Sequence, residues 1–284
     1  MSIPRADGPK ACVLGHRVAY SRSPLIHNYW LRSLGLSGSY ELADVAPEAF
    51  PEFLRNLSRA GYVGGNVTVP HKDVAFRLVD LRDRSAQAVG AVNTVWFDAG
   101  KLVGGNTDVS GFLANLDAAA PGWNTGGLAV VIGAGGAARA VVHGLLDRGF
   151  DVAVVNRTPA RAEALARHFG KGVTPQDFSA TARLLPQASL LTNASMLGAM
   201  GQPDLDLDLS ALDPEAVVCE LNYVPLTTAL LRAAVRTGHR VADGLGMLMH
   251  QAVPGFARWF AATPRVTPQL RALLEADIRA KAGG

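Results

Sequence analysis

Apolar residues alternate along the chain between short continuous runs and stretches with helical spacing. Residues 11–14 and 128–132 are continuous apolar runs that end at a glycine, which is typical of buried parallel strands. After the second run, Val141, Val142 and Leu145 recur at the spacing of one helix face. Strands that alternate with helices of about 10–15 residues predict an α/β fold with mainly parallel sheets.

Proline and turn residues set the expected boundaries of these elements. Pro24 and Pro70 are each predicted to start a helix, because proline suits the first helical turn. A longer helix is predicted over residues 47–60, and a β-hairpin is predicted around residues 98–100. The 284 residues are enough for two domains.

A glycine-rich turn follows the apolar run 128–132. Gly133 permits a tight turn, Gly135 allows the backbone to approach a pyrophosphate, and Ala138 lets the next helix pack closely. The free N–H groups and the dipole of that helix favour phosphate. The pattern therefore predicts a dinucleotide-binding turn.

The residues after the next strand, 151–155, indicate which dinucleotide binds. An NAD site usually has an acidic residue here for the ribose 2′-hydroxyl. This chain has Asn156, Arg157 and Arg161 instead. Two arginines can clamp a 2′-phosphate, so the expected cofactor is NADP(H). The alternative is that both arginines only decorate the start of a helix.

Composition narrows the function classes. The net charge is +3 and no long basic run occurs, so a nucleic-acid partner is not expected. No apolar stretch approaches the length of a membrane span, and residues 1–10 are predicted to be a polar tail.

Cys12 and Cys219 lie in apolar runs and are expected to be buried thiols, which fits a reducing compartment such as the cytoplasm. The seven histidines show no metal-like spacing, so no metal is expected.

Lys72 is a candidate for proton transfer. The chain contains 22 arginines and five lysines, so it mostly uses arginine where any cation would serve. Lys72 falls in a predicted first helical turn, where the dipole disfavours a cation. An amine can lose and regain a proton there, which a guanidinium cannot do at ordinary pH. The alternative is a surface lysine.

Other polar residues lie just past strand ends. Asp108 is either a helix cap or a carboxylate that works with Lys72 in acid–base chemistry. Ser21 and Ser23 share one loop; Ser23 can cap the following helix, and the two hydroxyls can also grip a carboxylate.

Taken together, these motifs resemble the shikimate dehydrogenase family over nearly the whole chain. The stretches that carry the resemblance are residues 20–24, 65–72, 90–94, 106–108, 133–139, 156–161, 223–228 and 243–248, followed by Gln251.

The resemblance implies a function and a domain plan. It implies an enzyme that reversibly reduces 3-dehydroshikimate to shikimate with NADP(H), in the cytoplasmic pathway to chorismate and the aromatic amino acids. Residues 1–108 with 243–284 would form an α/β substrate-binding and catalytic domain. Residues 109–242 would form a Rossmann-type NADP-binding domain. A homodimer is left open.

The resemblance also implies roles for individual residues. Lys72 and Asp108 resemble the catalytic pair. The implied substrate contacts are Ser21, Ser23, Thr68, Asn93, Asp108, Tyr223 and Gln251. The implied cofactor contacts are Gly133, Ala134, Gly135, Gly136, Ala137, Asn156, Arg157, Thr158, Arg161, Leu221 and Gly244.

Three positions depart from the family pattern, and they leave the substrate open. Tyr20 replaces a frequent histidine, Gly105 replaces a frequent larger residue, and Ser195 replaces a common threonine. Relatives in the family act on quinate or aminoshikimate, which are the alternative substrates. A nucleotide-binding regulator without turnover is the alternative from another class.

Overall fold

The computed structural model describes residues 8–282 and divides the chain into two compact units. The first unit comprises the described residues up to Thr107 together with Gln251–Leu274, and the second comprises Asp108–His250 with the described residues from Glu275 onward. Of the predicted polar tail, residues 1–7 lie outside the described residues, and Lys10 already begins a strand. The predicted binding role of each domain stays a prediction.

The first unit is built on one six-stranded mixed sheet. Its strands are β1 (Lys10–Gly15), β2 (Ser39–Asp44), β3 (Tyr62–Val67), β4 (Leu81–Arg82), β5 (Thr94–Asp98) and β6 (Lys101–Gly105), in the order β2-β1-β3-β5-β6-β4. Pairs β1–β2, β1–β3 and β4–β6 are parallel. The predicted β-hairpin is formed by β5 and β6, and β5 runs antiparallel to both of its neighbours, β3 and β6.

The helices of the first unit cover this sheet. They are α1 (Ser23–Ser33), α2 (Phe50–Arg55), α3 (Lys72–Leu78) and α4 (Arg84–Val89). The later residues of the unit belong to α10 (Gly244–Phe260) and α11 (Pro268–Ala282). An aromatic cluster lies in the core, where the fully buried His27 stacks on Tyr40 with ring centroids 4.0 Å apart and lies near Phe256 at 5.9 Å.

The second unit is a doubly wound α/β unit with an all-parallel sheet. Its strands are β7 (Gly127–Ile132), β8 (Phe150–Val155), β9 (Val173–Gln176), β10 (Ala188–Asn193), β11 (Val217–Glu220) and β12 (Arg240–Ala242). Its helices include α5 (Asp108–Ala119), α6 (Gly136–Asp147), α7 (Pro159–Phe169), α8 (Thr181–Leu184) and α9 (Ala229–Arg236). The strand order is β12-β11-β10-β7-β8-β9. This is the order of dinucleotide-binding folds, in which the ligand site lies where the order reverses.

Some element boundaries differ from those predicted. The helix predicted over residues 47–60 is confined to α2, because the Asn56 side chain donates back to the Glu52 carbonyl and turns follow. Pro70 does not start a helix; it lies in a turn closed by His71 N–H on the Thr68 carbonyl, and α3 begins at Lys72. The short elements β4, α4 and β9 were not predicted.

His27 gives the first unit a pH-dependent stability. Burial lowers the pKa of His27 to about 3, and the neighbouring Asn66 side chain offsets part of that effect. The unfolded chain therefore takes up a proton on this side chain near pH 6.5, whereas the folded chain takes it up only near pH 3. The contribution of neutral His27 to the free energy of unfolding is fully present above pH 6.5 and is lost as the pH falls.

We expect the free energy of unfolding to lose about 1.4 kcal/mol per pH unit through His27 between pH 6 and pH 4. His27→Phe should remove that part of the slope, because phenylalanine keeps an aromatic ring and does not titrate. The measurement is urea denaturation of both proteins over this pH range. Parallel profiles for the two proteins would contradict the assignment, whatever their absolute stabilities.

Candidate functional site

The glycine turn between β7 and α6 approaches another loop closely. Gly133 has a φ of +110° and donates its N–H to the Val155 carbonyl at 2.8 Å. A Cβ at this position would lie 2.8 Å from the Ala194 carbonyl carbon and 2.9 Å from the Ser195 nitrogen. Only glycine fits here, because both the backbone angle and the neighbouring peptide exclude a side chain.

The next glycines leave the start of α6 open. Gly135 and Gly136 are exposed, and a Cβ on either would meet nothing within 4 Å. No side chain caps the helix, whose N-cap is Gly135. Backbone N–H groups at such a helix start attract phosphate.

A cavity of about 470 Å³ lies beside this turn. It brings together six residues that the sequence assigns to the cofactor, namely Gly133, Ala134, Gly135, Asn156, Arg157 and Arg161. The other lining residues are Ile132, Val155, Phe178, Ala194, Ser195, Met196, Leu197, Gln202 and Pro203. These lining residues include two arginines and no acid, so the cavity suits a phosphorylated dinucleotide.

The remaining predicted cofactor residues lie outside the lining of this cavity. Gly136 and Ala137 form the first turn of α6, and Thr158 is the N-cap of α7, where its carbonyl accepts from the Asn156 side chain at 2.9 Å. Leu221 follows β11, and Gly244 begins α10 with no room for a Cβ against the Leu221 carbonyl. Their cofactor roles stay predictions.

The sequence analysis missed several residues of this cavity. Phe178 and Met196 are 37% and 65% exposed. Single exposed apolar side chains are common, so neither residue carries a signal in the sequence. Gln202 and Pro203 come from a loop without a recognisable pattern.

In the first unit, Asn93 is the centre of a buried polar network. Its Oδ1 accepts from the Thr107 N–H at 2.8 Å and from the Thr94 hydroxyl at 2.9 Å. Its Nδ2 donates to the Thr107 hydroxyl at 3.1 Å, and that hydroxyl in turn lies 3.5 Å from Gln251 Oε1. Asn93 is 2% exposed. The structure therefore brings Asn93 and Gln251 together through Thr107.

Ser21 and Ser23 lie at the start of α1. Ser23 is buried and is the first helical residue, whereas the N-cap is Arg22. Ser21 Oγ accepts from the Ser23 N–H at 3.3 Å. The alternative that Ser23 caps the helix is therefore wrong.

Thr68 and Lys72 flank the turn that leads into α3. The Thr68 N–H donates to the Leu14 carbonyl at 2.8 Å, which aligns this turn with the end of β1. Lys72 is half-buried and is the first residue of α3. Its carbonyl accepts from the Val92 N–H at 3.2 Å, next to Asn93 in the chain.

Asp108 and Tyr223 belong to the second unit. Asp108 is 8% exposed and is the first residue of α5, directly after Thr107 in the chain. Tyr223 is half-buried in the loop after β11. The catalytic role of Asp108 and the substrate contact of Tyr223 stay predictions.

Two α/β units, one with a dinucleotide-binding strand order and an arginine-lined cavity beside a glycine turn, define a dinucleotide-dependent α/β protein. The family model for the shikimate dehydrogenase substrate-binding domain matches residues 13–95, and the model for shikimate/quinate 5-dehydrogenase matches residues 124–197. The chain belongs to the shikimate dehydrogenase family.

Individual relatives extend this match over nearly the full chain. An NADP(+) shikimate dehydrogenase of Methylocella silvestris is 57% identical over 274 residues, which cover 96% of this chain and 98% of the relative. The Thermus thermophilus enzyme solved with NADP(H) and shikimate has a TM-score of 0.83 at 39% identity, covering 96% and 99% of the two chains. A quinate dehydrogenase of Corynebacterium glutamicum solved with NAD has a TM-score of 0.87 at 29% identity, covering 95% and 99%.

Among residues 8–282, no helix is long and apolar enough to cross a membrane. The same residues contain no group of three or more histidine, cysteine, aspartate or glutamate side chains placed to hold a metal ion.

We expect Gly133→Ala to destabilise the protein by about 2–4 kcal/mol, because it adds backbone strain and a steric overlap with the Ala194–Ser195 peptide. Gly149→Ala is the matched control, since Gly149 has a φ of +80° but open space around its Cβ position. That variant should lose only about 1 kcal/mol. Urea denaturation measures both, and equal losses would show that the close approach at Gly133 has no energetic effect.

Proposed function

We propose that this protein is an NADP-dependent dehydrogenase that reversibly reduces 3-dehydroshikimate to shikimate. The observation that carries the proposal is the cavity beside the Gly133 turn, with Arg157 and Arg161 in its lining. The relatives support the substrate, because the most similar ones reported above are named for it and the Thermus thermophilus enzyme was solved with both ligands.

Charge at the end of β8 supports NADP as the cofactor. A 2′-phosphate is close to doubly negative near neutral pH, and arginine offers it paired hydrogen bonds. Arg157 and Arg161 are exposed at the start of α7, and Asn156 contributes no opposing charge. When bound, NADPH supplies the hydride for the reduction.

The first unit supplies most of the proposed substrate contacts. Ser21 and Ser23 bind the substrate carboxylate in this proposal, because two neighbouring hydroxyls offer it hydrogen bonds. Thr68, Asn93 and Gln251 bind ring hydroxyls. The buried network of Asn93 supports this role, since its amide is already oriented before a substrate arrives.

Lys72 is proposed to hold and transfer the proton. Its ammonium donates a proton to the substrate oxygen as the carbonyl is reduced and takes it back in the reverse direction. Asp108 is proposed as its carboxylate partner and Tyr223 as a further substrate contact.

Quinate is the alternative substrate, since the Corynebacterium glutamicum neighbour is named a quinate dehydrogenase and was solved with NAD. Rates with shikimate or quinate, each with NADP or NAD, decide between the two substrates and are followed by the absorbance of the reduced nicotinamide.

A cytoplasmic location and a homodimeric state belong to the same proposal. The two cysteines, both buried and free, support a reducing location.

Arg157→Ala should lower kcat/KM for NADP by about 10–100-fold, because a hydrogen bond to a charged group contributes about 1.5–3 kcal/mol. The value for NAD should stay within about twofold, since NAD has no 2′-phosphate. Arg167→Ala is the control, because Arg167 lies on α7, just after Arg157 in the chain, but pairs with Glu163 and does not line the cavity. Equal losses for both cofactors would assign Arg157 to the fold. A parent enzyme that prefers NAD would overturn the NADP proposal.

Lys72→Ala should lower kcat by about 10²–10⁴-fold, the usual contribution of a positioned acid–base group. KM for shikimate should change much less, because other side chains bind the substrate. Lys101→Ala, at an exposed lysine of the β5–β6 hairpin, controls for loss of positive charge. Steady-state rates of both variants provide the measurement, and near-parental turnover of Lys72→Ala would remove the catalytic role.

A further inference from the structure

The last residue of β11, Glu220, is a fully buried acid surrounded by donors. Its Oε1 accepts from the Asn222 N–H at 2.8 Å and the Asn222 side chain at 2.9 Å. Its Oε2 accepts from the Thr228 hydroxyl at 3.1 Å, and Asn193 Nδ2 lies 3.0 and 2.9 Å from the two oxygens. The side chain is 0% exposed. Burial raises the pKa of Glu220, and these partners, all of which donate, offset part of that rise.

The orientation of Asn193 is fixed from its other end. Its Oδ1 accepts from the Ser195 N–H at 3.0 Å and the Ser195 hydroxyl at 2.7 Å, while its Nδ2 also donates to the Leu197 carbonyl at 2.8 Å. Turning the amide over would lose these hydrogen bonds. A change in what Glu220 accepts is therefore passed on to Ser195 and Leu197.

Asn222 makes a second connection to the same loop. Its Nδ2 donates to the Ser195 carbonyl at 3.1 Å and the Leu197 carbonyl at 3.0 Å, besides Glu220. We call residues 194–197, which follow β10, the wall loop. Glu220 thus connects the wall loop to the loop that follows its own strand and, through Thr228, to the N-cap of α9.

The wall loop forms part of the arginine-lined cavity. All four of its residues line that cavity. Its Ala194–Ser195 peptide is also the backbone against which Gly133 of the phosphate-binding turn packs. A displacement of this peptide changes both the width of the cavity and the room for the glycine turn.

We propose that Glu220 is a positioning residue for the cofactor cavity, where its buried carboxylate fixes the wall loop against the Gly133 turn through Asn193 and Asn222. This inference rests on the proposed NADP site. Glu220 does not line the cavity, so it acts through the loop and not by contact with the cofactor.

Glu220→Gln keeps the size of the side chain and places an NH₂ group among donors. We expect the dissociation constant for NADPH, measured by fluorescence titration, to rise at least about tenfold. Without ligand, amide hydrogen exchange in a peptide that covers residues 193–200 should become faster, because Ser195 and Leu197 N–H groups lose their fixed partners.

Thr228→Val is the matched control. It removes a different hydrogen bond to the same carboxylate together with the cap of α9, since the Thr228 hydroxyl also accepts from the Leu231 N–H. It should lower the urea midpoint while leaving the NADPH dissociation constant within about twofold and exchange in the wall loop unchanged.

A folded Glu220→Gln protein with parental NADPH binding and parental exchange would overturn the proposal. So would a Thr228→Val protein that weakens NADPH binding as much as Glu220→Gln does. If Glu220→Gln does not fold, Asn222→Ala is measured instead, because it removes one connection and leaves the Glu220 carboxyl group its other donors. Faster exchange in the wall loop is then expected, and parental exchange contradicts the proposal. A parent protein that does not bind NADPH contradicts the proposed function instead, and the exchange comparison still tests Glu220.

Discussion

The second unit depends on the close packing of one peptide against one glycine. A parallel sheet that is covered on both faces presents polar groups to a ligand mainly at the carboxyl ends of its strands. Gly133 ends β7 at this edge, and the Ala194–Ser195 peptide follows β10 beside it. Neither segment can move without displacing the other, so the position of the Gly133 turn and that of the facing cavity wall are set together.

The first unit reaches a preset geometry by different means. Asn93 bonds to the neutral side chains of Thr94 and Thr107. The Asn66 amide donates to the Asn93 carbonyl at 3.3 Å and the Thr94 hydroxyl at 3.2 Å. The Tyr40 hydroxyl donates to Asn66 Oδ1 at 2.6 Å. Neutral amides can be buried at moderate cost when each polar atom has a partner. The second unit instead buries a carboxyl group at Glu220 and surrounds it with donors.

Much of the fold can be predicted from local sequence patterns, and the features that were not predicted share a physical cause. The run 128–132, the glycines after it and the arginines after β8 lie within one strand–helix–strand unit, so their relation is visible in sequence. The wall loop and Phe178 reach the cavity through strand pairing, which a linear pattern does not encode. The elements β4 and β9 were missed because two to four residues carry too little periodicity. The Asn93 network likewise needs Gln251 from a distant helix.

The division of the chain also sets the order in which the sheet of the second unit and the core of the first unit can be completed during synthesis. Every strand of the second unit has been made once Ala242 is in place. The first unit starts earlier in the chain but needs residues made later, since Phe256 packs near His27 and the Trp30 indole donates to the Arg265 carbonyl at 3.1 Å. Domains usually fold in the order of their synthesis. Here the six-stranded parallel sheet of the second unit is complete while the aromatic core of the first unit still lacks part of its cover.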